Sequence, residues 1–251
     1  MIHSFLLIGQ SNMGGRGFKS DVEPIVNERL FVLRNGRWRA MYVPVNPDRV
    51  TSGINLAESF ADLYSRDKGV DVGIIPCADG GTCLDQWAVG SLLFDHACYM
   101  ATLAARTSNI AGILWHQGES DCDPDRYPYY EEKLSKIIEG FRKRLDLYDV
   151  PFLVGGLGDY LVDCPRSDKY KLYAHHVNDA LRSVAENNDR VGFVSAEGLG
   201  SNPDFLHFSA PALREFGARY YEEFLKLEDK SKVFVEKPSQ DLAIVNDIEI
   251  L

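Results

Sequence analysis

Closely spaced cysteine pairs, an excess of basic residues and long apolar runs are all missing from this chain. Its five cysteines, Cys77, Cys83, Cys98, Cys122 and Cys164, are scattered, odd in number and include no CxxC pair. That usage speaks for reduced thiols over a disulfide framework or a zinc site. A formal net charge of −10 argues against nucleic acid or an anionic membrane surface as the main partner. A small neutral substrate stays open. No apolar run reaches the roughly 18 residues that a membrane span needs. The first residues have neither the basic region nor the apolar core of a signal peptide, so a cytoplasmic location is expected. Repeats and low-complexity tracts are also absent before about Leu227.

What is present reads as a layered α/β protein. Over 251 residues, 45% are hydrophobic and 25% charged, ordinary values for a folded domain. Short apolar runs predict strands at Ser4–Ile8, Val70–Cys77, Ile110–His116, Phe152–Gly155 and Val191–Ser195. Between them, amphipathic patterns predict helices at Gly53–Arg66, Leu92–Thr107, Tyr129–Leu147, Lys169–Glu186 and Ala210–Leu227. Near-continuous apolar strands alternating with helices imply a parallel sheet covered on both faces. Asn35-Gly36 inside "RLFVLRNGRWRAM" is a hairpin signal and places a β-excursion after the first turn. Beyond Leu227 the character changes to charged residues around an isolated apolar run. One domain over residues 1–227 with an extension over 228–251 is expected, the extension packing on the body, pairing with a second copy of the chain or staying mobile.

Ligands of such sheets bind outside the carboxyl ends of the strands. Four unusual segments follow strands there: "GQSNMGG", "ADGGT", "QGESD" and "PDFLHF". Ser11 in the first is either a nucleophile awaiting a base or the cap of the next helix. The stretch nearly copies GxGxxG, but Ser11 replaces the glycine that a pyrophosphate needs and no acidic residue ends a clear second parallel strand. No Gly-Lys-Ser/Thr follows, so a P-loop is excluded. Asp204 and His207, three apart before the last helix, can place a carboxylate and an imidazole on one side of a turn; alternatively Asp204 is a cap and His207 a surface residue. Gly80-Gly81 allows close approach of backbone N–H groups to a substrate oxygen, or is a flexible turn. Asp85 and Trp87 beside it shape a sugar subsite, unless Trp87 is core. Gln117 is able to donate an amide N–H to an oxyanion, and Glu119 and Asp121 to brace loops. His116, Glu119, Asp121 and Cys122 lack a recognised metal-ligand spacing, so no metal is expected.

Together "GQSNM", "CADGGT", "WHQGESD" and "DFLH" resemble the SGNH-hydrolase superfamily, and most of all its carbohydrate-esterase branch of sialate O-acetylesterase and acetylxylan esterase type. The resemblance runs from Phe5 to about Leu227. It implies a flavodoxin-like three-layer α/β/α fold with a central, mostly parallel five-stranded sheet. By the same resemblance Ser11 is the nucleophile, His207 the general base and then acid, and Asp204 the residue that orients it. The oxyanion hole would be the Ser11 N–H, the N–H of Gly80 or Gly81, and the Gln117 side chain, with Gln10 and Asn12 lining or bracing the site. The superfamily's block-three asparagine is missing; glutamine at that place marks the carbohydrate-esterase branch. The implied reaction removes acetyl groups from an acetylated mono- or oligosaccharide through an acetyl-enzyme, without metal or organic cofactor. A carbohydrate-binding protein without turnover and an esterase for a non-sugar acyl ester are the competing readings.

Overall fold

Strand β1, Ile2–Gly9, is buried along its whole length, as a strand covered on both faces must be. It pairs in parallel with β4 (Asp71–Pro76) on one side and β5 (Ser108–His116) on the other. β6 (Phe152–Gly155) and β7 (Val191–Val194) continue the sheet beyond β5. The structure, a computed structural model, describes residues 1–237.

Side chains of β1 alternate between two cores. Leu6 and Ile8 face helices α3 (Leu92–Ala104), α4 (Tyr130–Leu145) and α5 (Lys169–Asn187). Phe5 and Leu7 face α2 (Leu56–Lys68) and α6 (Ala210–Leu227). This is the three-layer α/β/α arrangement. Helix α2 starts at a capping box in which Asn55 and Glu58 satisfy each other's end of the first turn. Helix α6 starts at Ser209, whose hydroxyl accepts from the Ala212 N–H, with Pro211 in the first turn.

The sheet has seven strands where five were expected: with β2 (Leu30–Arg34) and β3 (Arg37–Ala40) added, its order is β3-β2-β4-β1-β5-β6-β7. The hairpin around Asn35-Gly36 exists, as β2 and β3. It is not a separate excursion, however, because β2 adds to the sheet edge in parallel with β4. The reason is burial: Leu30, Phe31, Val32 and Leu33 are all buried, and an isolated two-stranded hairpin has nothing to cover such a face. The five strands read from sequence keep the order 2-1-3-4-5 among themselves, which is the flavodoxin-like one. Its topological switch point lies between β1 and β5, so the segments after Gly9 and His116 meet at the ligand-binding edge.

Residues 228–237 cross the opposite edge of the sheet. Glu228 pairs with Lys68 at 2.7 Å and Lys232 with Asp149 at 2.8 Å. The Phe234 ring lies 4.0 Å from that of His3, and the Val235 carbonyl accepts from Asn109 Nδ2 at 2.8 Å. The rest of the extension expected to pack or to contact a second copy, residues 238–251, lies outside the described residues. Among those described, no helix is long and apolar enough to cross a membrane.

Candidate active site

Gly9 ends β1 at φ +131°, and a Cβ there would lie 2.1 Å from the His116 carbonyl oxygen. Only glycine permits this approach. It lets the Gln10 N–H donate to His116 O at 2.9 Å and turns the chain into the short helix α1, Ser11–Gly14. Ser11 therefore stands at the switch point, and its Oγ is 3.0 Å from His207 Nε2. His207 Nδ1 is 2.7 Å from Asp204 Oδ2. An ionised carboxylate only accepts, so Nδ1 carries the proton and Nε2 is left as the acceptor for the Ser11 hydroxyl.

Asp204 keeps its charge against its surroundings. Partial burial works to raise its pKa, but the Leu206 and His207 N–H groups, both 3.0 Å from Oδ1, and the His207 ring together hold it below the usual carboxylate range. The loop between the two residues contains Phe205 at φ +49°, a left-handed conformation that costs a non-glycine residue about 1–3 kcal/mol. An open pocket of about 480 Å³ lies against Asp204 and His207, walled also by Arg16, Phe18, Thr51, Arg166 and Pro203.

The expected oxyanion donors fare differently from one another. Ser11 and Asn12 open helix α1, so their N–H groups have no intrahelical acceptor. The Gly80 N–H is already given to Asp48 Oδ2 at 2.9 Å. Gly81, at φ +82° with open space around it, donates to no acceptor among the described residues. Gln117 departs from expectation: it is fully buried, and its Nε2 serves Asp121 Oδ2 (2.6 Å), Thr82 O (3.0 Å) and Gln10 Oε1 (3.1 Å). With two protons for three acceptors, it has none left for an oxyanion. Gln10 Oε1 also receives the Gly118 and Ser120 N–H groups, which orients its amide. Gln10 Nε2 has no acceptor among the described residues.

The bracing residues fall into two groups. Asn12 Nδ2 donates to Glu119 Oε1 at 2.5 Å and to Leu206 O at 3.2 Å, while its Oδ1 accepts the Phe208 N–H at 3.1 Å. Asp121 holds Gln117 and the Leu84 N–H, and burial pushes its carboxyl pKa up against those bonds. Asp85 is exposed and pairs with Lys133 of α4 at 2.5 Å. Trp87 is not a sugar platform: it is fully buried, packs edge-on to Trp115, and its Nε1–H donates to Thr82 Oγ1 at 3.0 Å. An apolar ring with one satisfied N–H belongs in a core. Glu119 and His116 are within 3.8 Å of each other, but Asp121 and Cys122 turn to Gln117 and the Gly118 carbonyl instead. Among the described residues no group of three or more such side chains is placed to hold a metal ion.

Sequence reasoning missed the pair that supports the glycine loop. Arg16 and Asp48 form a two-pronged ion pair (2.7 and 3.0 Å), both side chains 6% exposed. Burial would raise the Asp48 pKa, but Arg16, the Gly80 N–H and Ser52 outweigh it and hold the carboxyl below its ordinary range. Arg16 stood in plain view in "GGRG"; Asp48, thirty-two residues on in "NPDR", carried no motif. Asn202, whose Nδ2 donates to Arg16 O at 2.9 Å, was equally silent.

The model of the family described as "Carbohydrate esterase, sialic acid-specific acetylesterase" matches residues 1–226. A curated relative, "Probable carbohydrate esterase At4g34215" of Arabidopsis thaliana, is 28% identical over 88% of this chain and 89% of its own. The X-ray structure of the protein from that Arabidopsis locus superposes with a TM-score of 0.80 at 25% identity, over 89% of this chain and 98% of that one. NanS (TM-score 0.68, 17% identity, 90% and 97% covered) and the carbohydrate acetylesterase XAC1771 from Xanthomonas citri (0.65, 18%, 90% and 56%) share the fold.

Proposed function

The chain belongs to the carbohydrate esterase family of sialic acid-specific acetylesterases, and from its site we propose that it removes O-acetyl groups from a sugar through an acetyl-enzyme on Ser11. As a member of that family it is a carboxylic ester hydrolase that acts on acetylated carbohydrates. The observation that carries the finer reading is the line Ser11 Oγ, His207 Nε2 and Nδ1, Asp204 Oδ2, with steps of 3.0 and 2.7 Å. A serine hydroxyl is a weak nucleophile until such a base takes its proton.

Ser11 Oγ attacks the acetyl carbonyl carbon as His207 Nε2 takes the hydroxyl proton, and the carbonyl oxygen becomes an oxyanion. Collapse breaks the bond to the sugar oxygen, which leaves with the proton from His207. Water then attacks the acetyl-enzyme, again giving its proton to His207, and acetate departs as Ser11 recovers its hydrogen. Asp204 stays ionised and stabilises the imidazolium. The donors left for the oxyanion are the Ser11 and Gly81 N–H groups and the Gln10 Nε2, with Gln117 as a wall that orients Gln10.

The test is acetate release from p-nitrophenyl acetate and from a panel of O-acetylated sugars. Ser11→Ala and His207→Ala are each expected to lower kcat/KM by at least about a thousandfold. Folded variants that keep wild-type kcat/KM would sink the reading.

A further inference from the structure

The segment carrying Asp204 and His207 has little regular structure of its own. Besides the His207 Nε2–Ser11 Oγ bond itself and Asn202 Nδ2 on Arg16 O, its hydrogen bonds to the Ser11 turn run through one side chain, that of Asn12, the residue next to the nucleophile. Asn12 reaches both flanks of His207: its Nδ2 donates to Leu206 O (3.2 Å) and its Oδ1 accepts from the Phe208 N–H (3.1 Å). The second Nδ2 proton goes to Glu119 Oε1 at 2.5 Å. Glu119 comes from the segment after β5 and is 4% exposed. An unpaired carboxylate is costly to bury, and Asn12 Nδ2 is the closest donor it has.

We propose that Asn12 and Glu119 are positioning residues, Glu119 holding the Asn12 amide and Asn12 holding the His207 backbone so that Nε2 stays on Ser11 Oγ. The inference rests on the proposed roles of Ser11 and His207. Glu119 fixes which way the amide points, since a flipped Asn12 would present oxygen to Leu206 O and nitrogen to the Phe208 N–H, losing both flanks at once. A misplacement of the order of 1 Å between reacting groups costs about a hundredfold, so the expected signature is a loss in kcat without a matching rise in KM. A residue that touched sugar would instead act on the sugar substrate alone.

Asn12→Ala, Glu119→Ala and the double variant are compared with wild type on p-nitrophenyl acetate and on a per-O-acetylated methyl glucoside, with melting curves to establish folding. Each single variant is expected to lose about 10–100-fold in kcat on both substrates, with KM moving less than about threefold. The double variant is expected within about threefold of the slower single one, because Glu119 acts through Asn12. Glu119→Gln, which keeps an oxygen for Asn12 Nδ2, is expected to regain most of the loss. Folded variants with kcat within about twofold of wild type, losses that multiply in the double variant, or a loss on the sugar alone would overturn the proposal. Should an alanine variant not fold, the isosteric Asn12→Asp decides: a loss of at least about tenfold supports the clamp, and wild-type kcat overturns it. Ser11→Ala separates the two levels. If it stays active, the proposed function falls and this inference with it; if it is dead, the Asn12 and Glu119 results bear on the positioning alone.

Discussion

Asp204 is a carboxylate with 26% of its side chain exposed and three donors gathered on it. Its pKa lies below the ordinary range, so the stability that these donors contribute is present above the unfolded value near 4. That stability is lost as pH falls through the lower, folded value. Asp204→Asn keeps the shape but offers His207 Nδ1 an amide, and is expected to lower kcat/KM by about 10³–10⁴, read as initial rates on p-nitrophenyl acetate. Trp87 makes the opposite kind of prediction. Trp87→Ala should cost about 3–5 kcal/mol in urea unfolding, as a large core side chain does, and leave KM for the acetylated glycoside unchanged in whatever protein stays folded. The residues legible in sequence were those whose chemistry demands a residue type: a serine, a histidine and a carboxylate after strands. Asp48 and Asn202 were not legible, because a buried partner is set by where two loops cross and no local spacing encodes it. Gln117 was half legible: its position after β5 was read, but its occupation by Asp121, Thr82 and Gln10 depends on three other segments.

Among the elements, the packing of α2 on α6 depends on Gly217. A Cβ there would lie 2.1 Å from the Leu56 carbonyl and 2.2 Å from Ser59 Oγ. Gly217→Ala, favourable by helix propensity, is therefore expected to destabilise by roughly 1–3 kcal/mol through overpacking, as a lowered urea midpoint. The periodicities of β1 and of the five long helices were readable because burial on a fixed face writes them into sequence. The placement of β2 was not. A hairpin signal specifies a turn, whereas joining the sheet edge is decided by the exposed flank of β4. At the other end of β1, burial pulls the His3 pKa down from 6.5 to about 4, helped by the N-terminal amine and Lys68. The unfolded chain then takes up its proton first, so stability is lost as pH falls from 6.5 towards 4. The slope is at most one proton, about 1.4 kcal/mol per pH unit, less where solvent reaches the ring. His3→Gln should flatten that part of the urea-unfolding pH profile.

For the whole molecule, the sheet separates two jobs. The candidate site is built from the carboxyl ends of β1, β4 and β5 and the segment after β7 that carries Asp204 and His207, and residues 228–237 hold the amino ends through Lys68, Asp149, Asn109 and His3. Removing residues 228–251 is expected to lower Tm by several degrees, about 1–2 kcal/mol in a chain of this size, with kcat/KM within about twofold of the full chain. A large loss of activity at unchanged Tm would contradict that separation. The central claim concerns one oxygen atom, Ser11 Oγ, activated across the sheet by a histidine 196 residues away in sequence. Its most direct measurement is to label the full-length protein with a serine-reactive fluorophosphonate and map the adduct by peptide mass spectrometry. The adduct is expected on the peptide that carries Ser11, at one label per chain, with esterase activity lost in step and labelling abolished in His207→Ala. A label on another serine, or full activity in protein labelled at Ser11, would contradict the account.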